Sequence, residues 1–127
     1  MKKEREPYRL VIEVPECPEN LNRAMRMNWK ERMRRKRYWH DVIWKLCLGK
    51  CPAGPLEKFK IRITRYGARM LDFDGLVGSM KPLVDGLIHA RVIKDDGWIR
   101  TGVWDVGQEF RPKKDGEAVV LEVEEAG

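Results

Sequence analysis

Residues 70–96, MLDFDGLVGSMKPLVDGLIHARVIKDD, constrain this chain more than any other stretch. Asp72, Asp74, Asp85, Asp95 and Asp96 crowd five carboxylates into one short span, with Lys81 among them. Carboxylates that share a site repel one another, and a divalent ion such as Mg²⁺ or Mn²⁺ removes that repulsion while favouring hard oxygen ligands. Asp72 and Asp74 stand two residues apart, the spacing that points two side chains the same way from an extended segment. Asp95 and Asp96 precede Gly97, in an expected turn. The segment between the pairs reads as a helix, which is expected to fold the second pair back beside the first.

Two starts are open for that helix. Proline is tolerated only in a first turn. Ser79 as N-cap therefore predicts a helix from Met80 to about Val92. A start at Leu76 would enclose Pro82 and kink the helix. In both cases Lys81, Asp85 and His89 recur one turn apart on one face, and Leu83, Val84, Leu87 and Ile88 form the buried face.

At 127 residues the chain, read over 1–127, has room for one domain and no second core. No apolar run is long enough to span a bilayer. The opening MKKEREPYR has no apolar stretch behind it and does not read as a secretory signal, so a cytoplasmic protein without membrane association is expected. Cys17, Cys47 and Cys51 are too few for a disulfide framework. Cys47 and Cys51 have a zinc-compatible spacing, but no further Cys or His pair completes a site, so buried free thiols are expected.

The formal net charge is +6, and it is local. Residues 23–37 supply Arg23, Arg26, Lys30, Arg32, Arg34, Arg35, Lys36 and Arg37 against Glu31 alone. So little internal pairing favours a polyanion, with nucleic acid the first candidate, over a merely solvated helix face.

Along the chain, YRLVIEV at 8–14 reads as a strand that stops at Pro15, and 15–21 as a loop. Asn28 is a good N-cap for a helix from Trp29 to about Leu48. Its tryptophans, Trp29, Trp39 and Trp44, are expected in the core rather than as base-stacking platforms. GKCPAGP at 49–55 ends the helix. In 57–66, Phe59, Ile61 and Ile63 alternate with Lys58, Lys60, Arg62 and Thr64, a strand with one apolar and one basic face. A strand from Trp98 to Val106 or on to Phe110, the turn signal Asp115-Gly116, and a final strand over 117–124 read as a hairpin. The order β-α-β-α-β-β predicts an α+β fold of two layers, with helices packed on one sheet.

The acidic stretch resembles the RusA family of Holliday-junction resolvases. That family carries an Asp-x-Asp-Asn element, a following Lys, an Asp-Ala-Leu helix and a later Asp-Asp. Here Asp72-Phe73-Asp74-Gly75, Lys81, Asp85-Gly86-Leu87 and Asp95-Asp96 are similar. Gly78–Pro82 looks like a phage and prophage branch. Pro18 to Asn22 resembles the family's Pro-x-x-x-Asn element, and Met27–Arg32 resembles its Met-x-Trp-x-x-Arg element. Gly75 departs from the usual Asn, and Lys81 lies further from Asp74 than in the shortest members. Asn22 reads either as a positioning residue or as a plain cap.

The resemblance implies a homodimeric, Mg²⁺-dependent endonuclease, with Mn²⁺ able to substitute, that cuts two strands of a four-way DNA junction. Asp72, Asp74 and Asp96 are the first-choice metal ligands and Asp95 the next. Asp85 either binds metal or orients Lys81, and Lys81 would either stabilise the charge of the phosphorane or hold the scissile phosphate. Asn22, Arg26, Lys30, Arg32, Arg34, Arg35, Lys36 and Arg69 are the expected DNA contacts. A catalytically silent DNA-binding protein on the same fold is the alternative. Lys81 has no acidic residue two positions before it, which counts against the Glu-x-Lys element of restriction-type nucleases.

Overall fold

The computed structural model describes residues 6–19, 21–95 and 102–126. In chain order it forms β1 (Arg9–Val14), α1 (Leu21–Arg26), α2 (Trp29–Cys47), β2 (Phe59–Gly67), α3 (Phe73–His89), β3 (Gly102–Phe110), a single 3₁₀ turn (Lys113–Asp115) and β4 (Ala118–Glu125). The expected mixture of a small sheet and helices is present. The first crossover holds two helices instead of one, because α1 forms at the end of the expected 15–21 loop. The expected strand start at Trp98 falls outside the described residues.

The four strands make one sheet in the order β1-β4-β2-β3. β4 is antiparallel to β1 and to β2, and β2 is parallel to β3. β1, β2 and β3 therefore point the same way. Right-handed crossovers from β1 to β2 and from β2 to β3 put α2 and α3 on the same face of the sheet, parallel to each other. Contacts agree with this: Ile43 of α2 lies against Gly86 of α3, where an added Cβ would meet Ile43 Cγ1 at 2.8 Å. The core between the layers contains Leu10, Ile12, Val14, Trp39, Ile43, Phe59, Ile61, Ile63, Met80, Leu83, Leu87 and Leu121, all buried.

The hairpin expected between the last two strands does not form, since β2 separates β3 from β4. β4 instead takes an inner position, where Val119, Leu121 and Val123 are buried. Charge on the open face of the sheet favours the same slot. In register, Glu122 lies opposite Arg62, and Glu124 lies opposite both Lys60 and Arg9. The basic face of β2 is thus interleaved with acids rather than left bare. Arg9 pairs with Glu122 at 3.8 Å and Glu124 at 3.6 Å, and Arg62 pairs with Asp105 at 3.3 Å.

α2 starts as expected: the Asn28 side chain accepts a hydrogen bond from the Glu31 N–H at 2.9 Å. Trp39, Ile43 and Cys47 recur every four residues and face the sheet. Two of the three tryptophans expected in the core are not there. Trp44 is 49% exposed and Trp29 73% exposed. Trp44 follows Ile43 and so lies about 100° round the helix from it. Trp29 is the first helical residue, at the rim of the layer.

α3 starts earlier than either expected position, Ser79 or Leu76, and encloses Pro82 as the Leu76 start would have done. It begins at Phe73 with Asp72 as N-cap and carries Pro82 inside. An interior proline forfeits a backbone hydrogen bond at a cost of about 3 kcal/mol. Burial of Leu76, Met80, Leu83, Val84 and Leu87 along one face outweighs that cost. Ser79, expected as the cap, instead turns its buried hydroxyl back to the Leu76 carbonyl at 2.9 Å. At the other end Arg91 takes the left-handed conformation, φ 63°. It closes a Schellman-type turn in which Val92 N donates to Leu87 O at 3.0 Å. Among the described residues, no helix is long and apolar enough to cross a membrane.

Candidate metal and nucleic-acid site

The acidic pair at Asp72 and Asp74 is carried by the short segment between β2 and α3, and two side chains hold that segment. Arg65 projects from β2 on the same face as Phe59, Ile61 and Ile63, and it is buried, 6% exposed. Its Nη1 donates to the Arg69 carbonyl at 2.7 Å. From β3, Gln108 Nε2 donates to the Leu71 carbonyl at 2.6 Å, and its Oε1 accepts from the Leu71 N–H at 2.9 Å. Sequence reasoning missed both residues. A signal for Arg65 was visible, since it interrupts the apolar face of β2; nothing local marked Gln108.

Asp72 and Asp74 do not share one extended segment, as their two-residue spacing had suggested. Asp72 Oδ1 accepts from the Gly75 N–H at 2.9 Å, and Asp74 lies in the first helical turn. Both are exposed. Negative charge is favourable there, because the first N–H groups of a helix lack intrahelical partners. Gly75 fits this cap closely: a Cβ in its place would meet Asp72 Oδ1 at 2.6 Å.

The remaining acidic residues stand elsewhere. Asp85 is eleven residues along α3 from Asp74, about 16 Å down the axis. It pairs with Lys81 at 3.7 Å, the expected one-turn spacing. The 17 residues of α3 span about 25 Å. The chain then passes the Leu56–Ile93 bridge at the opposite end before reaching exposed Asp95. α3 therefore holds Asp95 away from Asp72 and Asp74 and does not fold it back beside them. Asp96 lies outside the described residues. Among the described residues, no three His, Cys, Asp or Glu side chains stand together as a metal-binding group.

Next to Asp85, His89 stacks on His40 of α2, with ring centroids 4.8 Å apart. His40 Nε2 is buried without a hydrogen-bond partner. Burial, His89 and Lys36 hold the His40 pKa below its usual value, against smaller opposing effects of Asp85 and Asp41.

The basic residues are distributed over α1 and α2. Arg26, Lys30, Arg32, Arg34, Lys36 and Arg37 are exposed. Arg32 Nη2 donates to the Met25 carbonyl at 2.8 Å, which ties α1 to α2. Arg35 is more engaged: it pairs with Glu19 and lies over the rings of Tyr38 and Trp39 at 4.5 Å and 5.4 Å. Arg69 is exposed, and Asn22 belongs to α1. A groove of about 350 Å³ runs between α1, α2 and α3, with Met25, Met27 and Pro82 on its walls and Arg32 and Lys36 at its rim.

The cysteines make no site of their own. Burial pushes the Cys17 and Cys47 thiols up to about 11, so neither is poised as a thiolate. Cys51, expected to be buried, is exposed, and its Sγ donates to the carbonyls of Cys47 and Ala90.

Because α2 and α3 run parallel, their N-termini share one end of the molecule, beyond the carboxyl ends of β1 and β2. Ile43 meets Gly86 a similar number of residues into each helix, which sets Trp29 and Lys30 roughly level with Asp72 and Phe73. Open α/β sheets bind ligands at that end of their parallel strands. The chain matches no protein-family model and no curated protein.

Proposed function

We propose that this protein is a Mg²⁺-dependent endonuclease acting on branched DNA, as the RusA-like motifs imply, with four-way junctions as its substrate. One observation carries the reading. The exposed acidic pair, Asp72 and Asp74, and the basic start of α1–α2 occupy the same end of the fold. A phosphodiester held by Arg26, Lys30 and Arg32 would lie near carboxylates able to hold a divalent ion.

The bound metal would supply a nucleophilic water and charge for the leaving oxygen. The chain's own residues divide the remaining work. Asp72 and Asp74 would hold the ion, while Arg65 and Gln108 position their segment. Lys81, on the same helix, meets charge on the phosphate. The length of α3 gives the homodimer a specific purpose. Twofold pairing that sets two copies of α3 antiparallel would bring Asp72 and Asp74 of one copy towards Asp95 of the other. Two such sites would match the approximate symmetry of a junction.

The second reading, a catalytically silent binder, draws on the same cap: Asp72 Oδ1 is already engaged by Gly75 N. Incubation with a four-way junction, with and without Mg²⁺, separates the two. Paired nicks that need Mg²⁺ support the endonuclease. Tight binding without nicks under either condition supports the silent binder.

A further inference from the structure

We infer that Trp29 is a stacking platform for an unpaired nucleobase; this rests on the nucleic-acid reading above. Trp29 is 73% exposed, and three other large apolar side chains are comparably exposed, Phe73 at 70%, Phe110 at 67% and Met25 at 66%. All four belong to the end of the fold that carries the acidic pair, Phe110 lying opposite Gly67 at the carboxyl end of β2. Large apolar side chains grouped at one end of a fold mark a binding surface, as ones scattered singly do not.

The surroundings decide what covers it. Trp29, Arg32 and Lys36 recur at helical spacing along one stripe of α2, and Arg26, Lys30 and Arg34 are exposed around them. A second copy of this chain stacking its Trp29 on this one across a twofold axis would press these cations against their own equivalents. A nucleic-acid strand meets them with the opposite sign. Its phosphates would track Arg32 and Lys36 while a base lies on the indole, the combination of cationic groove and aromatic face that single strands use. Paired bases in a duplex keep their faces stacked on one another, so the platform favours bases at a junction, a fork or a single strand.

The test compares short single-stranded oligodeoxythymidylate with an abasic strand of equal length, which keeps the phosphates and removes the bases. The wild-type protein binds the base-containing strand more tightly, with quenching of tryptophan fluorescence. Trp29→Ala loses about 5- to 150-fold on that strand and little on the abasic one, with an unchanged salt slope, and Trp29→Phe recovers most of the loss. Equal affinities of wild type and Trp29→Ala for the base-containing strand overturn the inference. So does conversion of a dimer to a monomer by Trp29→Ala in sedimentation, which makes the indole a subunit contact. Failure of the wild-type protein to bind either strand overturns the nucleic-acid reading itself and takes the platform with it.

Discussion

The carboxamide of Gln108 brackets the peptide of Leu71, donating to its carbonyl at 2.6 Å and accepting from its N–H at 2.9 Å. An edge strand thereby fixes the residue immediately before the acidic pair. Gln108→Leu removes both bonds and leaves the Leu71 groups half-buried without them. It should cost about 1–3 kcal/mol of stability, read from denaturant unfolding. It should also lower Mg²⁺-dependent cleavage without weakening junction binding.

At Gly75 two effects of similar size oppose each other. Alanine gains about 1 kcal/mol of helix propensity, while its Cβ would sit 2.6 Å from Asp72 Oδ1 and displace the cap. Gly75→Ala should therefore leave the melting temperature nearly unchanged but shift the Mg²⁺ concentration needed for cleavage. An unaltered Mg²⁺ titration would separate the Asp72 rotamer from metal binding.

The same residues show what could be read from the sequence. The Asn28 cap, the α2 span and the alternation of β2 were legible, because capping and periodicity are local. The α3 start was not. The helical rule for Pro82 is local too, but burial of Leu76 and Met80 against the rest of the fold overrides it. The placement of β4 between β1 and β2 rests on partners far away in sequence, the apolar faces of β1 and β2 that bury Val119, Leu121 and Val123 together with Arg9, Lys60 and Arg62 opposite its acids. Of the candidate site, the residue types and the Lys81–Asp85 pair were visible. The separation of Asp95 from Asp72 and Asp74 was not, since it depends on how far α3 runs before the chain turns.

Charge on the two faces should differ in effect. Arg34 is exposed on α2, whereas Arg62 is held by Asp105 at 3.3 Å and faces Glu122. Arg34→Ala should reduce the slope of log affinity against log salt by about 1, measured by DNA titration at several salt concentrations. Arg62→Ala should change it little, because its phosphate-binding capacity is already spent on neighbouring acids.

His40 should make stability depend on pH. Its pKa in the fold lies below the ordinary 6.5, through burial first and then His89 and Lys36. As pH falls, the unfolded chain takes up the proton before the folded one does. The stabilising contribution is therefore full above pH 6.5 and declines below it. Thermal melts should show wild type losing more stability than His40→Phe on acidification from that point, since phenylalanine keeps a ring against His89 without a proton to gain. Identical pH profiles would remove His40 as the cause.

Asp72 gives the most direct test, because its two roles separate in one substitution. Asparagine caps a helix about as well as aspartate but carries no charge for a cation. Cleavage of a four-way junction in Mg²⁺ by Asp72→Asn, with binding and melting temperature measured in parallel, should fall on the order of a hundredfold or more while both controls stay near wild type. Cleavage at the wild-type rate would contradict the account and leave Asp72 as a helix cap alone.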